Sequence, residues 1–356
     1  MQKVHISTYC TQSSYGSILQ SLGLKAALSE IGWESTIVKC GKKPDRQYRL
    51  RCGGFGFGQI LRWLSKVPVY PKVKQKYEST CAFMETHLDV AYFDDPKAME
   101  TGLADERVFL AGSDQIWNPI NLRKEFFLDF ASEGAKRISY AASMGVQSVP
   151  TENVDAFARM INKFDYVSVR EQECAEVVAE YTTKDVAVHI DPTFLRTKDW
   201  WASLEKAYPM EGPYILVYPL YWDASFNQQL KDLHRRSGKN IVVIADYPRN
   251  IYGNKWVFDA DPGQFLWLIH HADAVITSSF HGVAMSLNYN VPVIPVINPS
   301  APARINHLLR VLNCPTLTIG SFAEGDTILF DQINQRIEEE RHRGCSYLKE
   351  VMQSNV

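Results

Sequence analysis

ADAVITSSFHGVAMSLNYNVPVIPV, residues 272–296, decides the fold. The apolar run at 274–277 reads as a buried strand and ends in two hydroxyls, Ser278 and Ser279. Phe280, His281 and Gly282 follow, and a helix of small and apolar residues begins at once. A second apolar strand comes at 293–296. Strand, helix, parallel strand is the unit of an α/β sheet covered on both faces. In such sheets ligands bind beyond the carboxyl ends of the strands. A helix starting there offers free N–H groups and a positive dipole end to anions. Gly282 lets backbone approach a ligand closely. The plainer alternative is a strand–loop–helix whose histidine only caps or packs.

Outward from this stretch the same alternation recurs. Strands are expected at 4–7, 35–38, 108–111, 138–141 and 166–169, with helices at 15–31, 151–164 and 171–180. The pattern breaks at Asp191-Pro192-Thr193 and Trp200-Trp201. It then restarts with strands at 214–218 and 241–245 and helices at 227–236 and 262–270. Two such series predict two Rossmann-like domains with parallel sheets, residues 1–193 and 194–356, and a cleft between them. A last helix, 331–352, is expected to cross back to the first domain.

A chain of 356 residues exceeds one ordinary core, which supports two domains. Net charge is −2, which argues against a nucleic-acid binder. Seven scattered cysteines without a C-x-x-C pair fit reduced thiols rather than a disulfide frame or zinc site. No signal peptide and no run of 18 apolar residues is present, so the expected location is the cytoplasm. Residues 42–76 stand apart, with ten Lys or Arg against Asp45. That +9 leaves −11 for the remainder. Phe55, Phe57, Trp63 and Leu64 lie among the basic residues. The segment is either a peripheral patch against anionic lipid at the inner face of the membrane, or a solvated insertion with its own small core.

Four further clusters sit where strands end. TYCTQSSYGSILQ opens the first helix with Tyr15-Gly16, and Gly16 permits close backbone approach. AGSDQIWNP, 111–119, places Ser113, Asp114, Gln115, Trp117 and Asn118 beyond a strand. Polar groups beside an indole suit a sugar, and a turn with a core Trp is the plain alternative. SYAASMG, 139–145, leaves a strand into small residues. YVSVRE, 166–171, ends in Arg170, whose fork suits a carboxylate or phosphate, or else a neighbouring acid. His270 and His271 are adjacent on a helix and are expected to diverge, so no metal is expected.

In order, YGSILQ, GSDQIWNP, SYAASMG, VSVRE, DPTFL, ITSSFHGVAMSLNYNVPVI and ARINHLLRVL resemble the polysaccharide pyruvyl transferase family. The resemblance runs from about residue 3 to 315 and departs from the usual pattern at Ser14, where Asn commonly precedes Tyr-Gly. It implies a GT-B-like pair of domains that moves pyruvate from phosphoenolpyruvate to a sugar of a surface glycan or its lipid-linked precursor. It implies catalytic roles for His281 and Arg170. Arg304 matches a further basic residue of the family. With Ser278, Ser279 and Gly282 it would hold the donor. The first-domain residues Tyr15, Gly16, Ser113, Asp114, Gln115, Trp117 and Asn118 would face the acceptor. No cofactor beyond phosphoenolpyruvate as co-substrate is expected. Two rivals remain: a glycosyltransferase using a sugar nucleotide, and a non-catalytic scaffold for glycan assembly.

Overall fold

Two parallel sheets of five strands carry the chain, and both use the same strand order. The computed structural model describes residues 2–45, 48, 64, 66–299, 302–320, 322 and 330–354. The first sheet holds β1 (Gln2–Ser7), β2 (Trp33–Cys40), β3 (Val90–Phe93), β4 (Val108–Ala111) and β5 (Lys136–Ser139), in the order β3-β2-β1-β4-β5. A parallel pair, β6 (Val167–Val169) and β7 (Val186–Val188), continues it past β5 through bridges Ile138–Tyr166 and Ala142–Val169. The second sheet holds β8 (Tyr214–Tyr218), β9 (Asn240–Ile244), β10 (Lys255–Val257), β11 (Ala274–Thr277) and β12 (Val293–Pro295), in the order β10-β9-β8-β11-β12. The order reverses between β1 and β4 in one sheet and between β8 and β11 in the other. These are the switch points at which open sheets bind ligands.

The helices are α1 (Tyr15–Glu30), α2 (Tyr70–His87), α3 (Pro96–Gly102), α4 (Val154–Ile161), α5 (Gln172–Ala179), α6 (Lys198–Ala202), α7 (Phe226–Ser237), α8 (Pro262–His270), α9 (Phe280–Asn288), α10 (Ala303–Val311) and α11 (Phe330–Gln353). Their starts follow local chemistry. The Ser14 hydroxyl caps α1, and Asp261 with Gln264 forms a reciprocal capping box on α8. Short strands such as β8, with Ile215, Leu216 and Val217 fully buried, are apolar on both faces because helices cover both.

The α1 helix is buried on nearly every side, as expected of a helix held between two layers. Tyr15 opens it, donates its hydroxyl to the Ala260 carbonyl at 2.6 Å and stacks on Phe265 of α8 at 4.2 Å. Val4, Ile18, Phe265, Val283 and Ile333 belong to one apolar cluster, so the two Rossmann-like domains share a continuous core in a GT-B-like arrangement. The α11 helix, which sequence order assigns to 194–356, packs on the first domain. Tyr347 donates to the Ser139 carbonyl at 3.1 Å and Lys136 to the Ser354 carbonyl at 2.6 Å.

Most of the basic segment, residues 46–47, 49–63 and 65, lies outside the described residues. Within its described part, three lysines reach residues of the second domain. Lys76 pairs with Asp246 at 2.7 Å and Lys72 with Asp259 at 3.8 Å, while Lys66 lies over the Tyr247 ring. Among the described residues no helix is long and apolar enough to cross a membrane. Among the described residues no disulfide joins two cysteines.

Candidate active site

The two switch points meet across the domain boundary, and Asp191 is where they join. Asp191 follows β7, is fully buried and caps a short 3-10 helix, Pro192–Leu195. Its Oδ1 accepts from the Thr193 N–H at 3.0 Å and the Thr193 hydroxyl at 2.9 Å. Its Oδ2 accepts from Ser113 Oγ at 3.0 Å and Arg170 Nη1 at 2.7 Å. His281 Nε2 stands 3.6 Å from the same oxygen, in ion-pair range but beyond a hydrogen bond. One carboxylate thus gathers residues from β4, β6 and α9. Burial alone would raise its pKa. The charges of His281 and Arg170 and the Thr193 N–H overcome this and hold it well below the usual carboxylate range.

Arg170 is 2% exposed and spans two acids, with Nε 3.3 Å from Glu171 Oε1. Its guanidinium lies 4.1 Å over the Phe280 ring. Burial would lower its pKa, and Glu171 and Asp191 raise it instead, so it stays charged. Its Nη2 is buried without a partner. Glu171 accepts from Ser143 Oγ at 2.9 Å; its Oε2 is buried and unpartnered, and burial pushes its pKa up against the pull of Arg170. Arg304, in the first turn of α10, makes no ion pair among the described residues and leaves Nε buried without a partner. Burial and the nearby charge of Arg170 lower its pKa. Its guanidinium is a desolvated cation with spare capacity for an anion.

Three cavities surround these groups. One of about 160 Å³ is lined by Arg170, His189, Asp191, Phe280, Arg304 and His307 among others. Arg304 and Glu171 also border a second, of about 280 Å³. A third of about 280 Å³ lies on the first-domain side, lined by Tyr9, Ser14, Ser17, Asp114, Gln115 and Asn118 among others. Asp114 connects the two sides: it lines the third cavity, and its charge acts on both Arg170 and Arg304. Its backbone has φ 79°, a left-handed conformation that non-glycine residues adopt where surroundings impose it.

His281, Arg170, Ser113 and Gly16 therefore come together, with Arg304 and Asp114 beside them. Gly16 lies against the imidazole itself. Five expected site residues do other work. Trp117 is fully buried, its indole N–H donating to the Phe126 carbonyl at 3.2 Å and its ring stacked on Phe127; it is a core residue with no face for a sugar. Tyr15 is consumed by the interdomain contact. Ser278 Oγ accepts from the Leu220 and Tyr221 N–H groups, each at 2.8 Å, and so ties down the loop after β8. Ser279 caps α9 by accepting from the Gly282 N–H at 3.3 Å, which occupies a donor the sequence leaves for an anion. The missing Cβ of Gly282 makes room for Thr277 Oγ1, which would lie 2.6 Å away, so its use is helix-on-strand packing.

Two site residues escape the sequence reading. Asp191 shows there only as a turn residue before proline and as the first residue of the DPTFL stretch, and Glu171 only as the neighbour of Arg170 in VSVRE, neither with a role assigned. The N-cap spacing of Asp191 to Thr193 is the one local signal that it is buried and ordered.

A family model described as polysaccharide pyruvyl transferase matches residues 15–300. Among solved structures, UDP-GlcNAc 2-epimerase from Neisseria meningitidis bound to UDP-GlcNAc is 8% identical, with a TM-score of 0.50 and 100% of each chain covered. S. aureus MnaA with UDP is 10% identical, with a TM-score of 0.50, covering 99% of this chain and 91% of that one. At these identities the likeness is one of fold. No curated protein sequence matches.

Proposed function

Because the chain belongs to the polysaccharide pyruvyl transferase family, we propose that it moves pyruvate from phosphoenolpyruvate onto hydroxyls of a sugar and closes a cyclic ketal. The observation that carries this reading is the pair Arg170 and Arg304, each with an unpartnered buried nitrogen, at one cavity of about 160 Å³. The donor has a carboxylate and a phosphate, and guanidinium forks suit both.

The chemistry has four demands. The terminal carbon of the enol takes a proton, which leaves an oxocarbenium-like centre. A sugar hydroxyl adds there and gives up its proton. Phosphate departs. A second hydroxyl then closes the ring and loses its own proton. His281 is the proton carrier in this proposal, with the Asp191 carboxylate 3.6 Å from its Nε2. The acceptor lies in the first-domain cavity, where hydroxyls of Ser14 and Ser17 and the polar ends of Asp114, Gln115 and Asn118 meet its hydroxyls. A lipid-linked acceptor at the inner face of the membrane fits this chemistry equally with a free glycan.

The test is a thermal-shift comparison of phosphoenolpyruvate with UDP- and GDP-sugars, followed by phosphate release with acceptor glycans. Phosphoenolpyruvate is expected to stabilise the protein. Stabilisation by a sugar nucleotide alone would replace this reading with a glycosyltransferase. Binding of neither, with His281→Ala indistinguishable in function, would leave a scaffold.

A further inference from the structure

We propose that Glu205, His270 and His271 form a binding site for a transition-metal dication of the Zn²⁺ class, remote from the catalytic cleft. Spacing along the helix predicts that two adjacent histidines diverge. The structure brings them together, because His270 ends α8 while His271 is its C-cap at φ −97° and ψ 6°. Their ring centroids are 5.1 Å apart. Glu205, in the turn after α6, faces them, and one donor atom from each of the three residues lies within 4.8 Å of the others.

Both imidazoles are held in place before any ion arrives. The His271 ring stacks on Trp267 at 4.2 Å and 17°. Its Nδ1 lies 3.0 Å from the Trp267 carbonyl oxygen, which only accepts. Nδ1 therefore carries the proton and Nε2 presents its lone pair. A ring N–H bonded to a backbone carbonyl is the usual outer support of a metal-binding histidine. The His270 ring stacks on Tyr289 at 4.4 Å and 11°, and its Nδ1 stands 2.8 Å from Glu205 Oε1. The Tyr289 hydroxyl, on a residue 4% exposed, is buried beside the Glu205 carboxylate. Its pKa is raised by burial and by the neighbouring Glu205 carboxylate. The C-terminal end of α8 adds a negative dipole end. Two imidazoles and one carboxylate select borderline metals such as Zn²⁺ over Mg²⁺ or Ca²⁺, which take oxygen ligands. An ion held between His270 Nδ1 and Glu205 requires the His270 ring to carry its N–H on Nε2.

The ion would join two separate elements, the segment after α6 that carries Glu205 and the C-terminal end of α8 that carries the histidines. Tyr289, stacked on His270, is the C-cap of α9, the helix that bears His281.

Calorimetry of Zn²⁺ into protein freed of any purification tag, with Co²⁺ visible spectra as a second probe, tests the site. One ion per chain is expected, with tighter binding as pH rises. His271→Ala and Glu205→Gln should each weaken binding by at least about 10-fold, the lower end for loss of even an outer partner. Circular dichroism and Tm of both variants in chelator should match the unsubstituted protein. Absence of stoichiometric Zn²⁺ binding overturns the proposal, and so does binding that survives unchanged in both variants. Equal binding of Mg²⁺ would overturn the assigned metal class.

Discussion

A Cβ on Gly16 would lie 2.2 Å from His281 Nδ1 and 2.9 Å from His281 Cβ. The first turn of α1 in one domain is thus cut to the imidazole of the other. Gly16→Ala favours the helix by about 1 kcal/mol in propensity, yet it must displace His281. Turnover should fall by about 10²-fold, the scale of an ångström-level misplacement, while circular dichroism stays unchanged. His281→Ala should lose about 10²–10⁴-fold. A folded Gly16→Ala enzyme with full turnover would show that this contact does not position the histidine.

Arg170 and Arg304 should separate stability from binding. Arg170→Ala strands the buried carboxylates of Asp191 and Glu171, and urea unfolding should show a loss of about 3–5 kcal/mol. Arg304 makes no direct ion pair among the described residues, and Asp114 and Glu171 act on it only through space. Arg304→Ala should leave the unfolding midpoint nearly unchanged and weaken phosphoenolpyruvate by about 1.5–3 kcal/mol, roughly 10–150-fold in Kd. If calorimetry finds donor affinity intact in Arg304→Ala, the anion sits elsewhere.

Trp117→Ala is expected to act on the fold alone. Removing a fully buried indole costs about 3–5 kcal/mol, readable as a lower denaturant midpoint. Asn118→Ala, at the rim of the first-domain cavity, should instead raise the acceptor KM with donor binding unchanged. Loss of acceptor affinity in a Trp117 variant that keeps full stability would return the indole to the site.

His189 predicts a pH dependence. Burial pushes its pKa from the ordinary 6.5 down to about 4, with Arg343 adding to the shift. Between these values the unfolded chain binds the proton and the folded one does not. The neutral ring's contribution is therefore complete above 6.5 and is lost as pH falls toward 4. The linkage is at most about 3 kcal/mol. Urea titrations across this range should show a shallower pH slope for His189→Gln. Parallel slopes would mean that another group controls the acid limb.

Outside residues 70–102, where α2, β3 and α3 form without an expected element, the strand–helix alternation and the helix starts follow from periodicity and capping. β11, α9 and α8 fall where hydrophobic runs and the Asp261 cap put them. β7 and β10, three residues each, lack the length to show a pattern. His281 and Arg170 stand out because reactive side chains end apolar strands.

By itself the sequence determined two parallel α/β sheets, the family, and the residues at the strand ends, because these depend on neighbours a few positions apart. Only the tertiary structure decided what each residue does there. Ser278, Ser279, Tyr15 and Trp117 are polar or aromatic in the right places, yet Tyr15 and Ser278 are satisfied by partners far along the chain, Ser279 by its own helix and Trp117 by the core. Asp191 is the reverse case: an unremarkable acid before a proline becomes the hub of the site. Its partners Ser113 and Arg170 follow strands of the first domain and His281 follows a strand of the second, so the full set meets only when the two domains share a core. Burial and charge at such a point are sums over the whole fold, and no local pattern carries them.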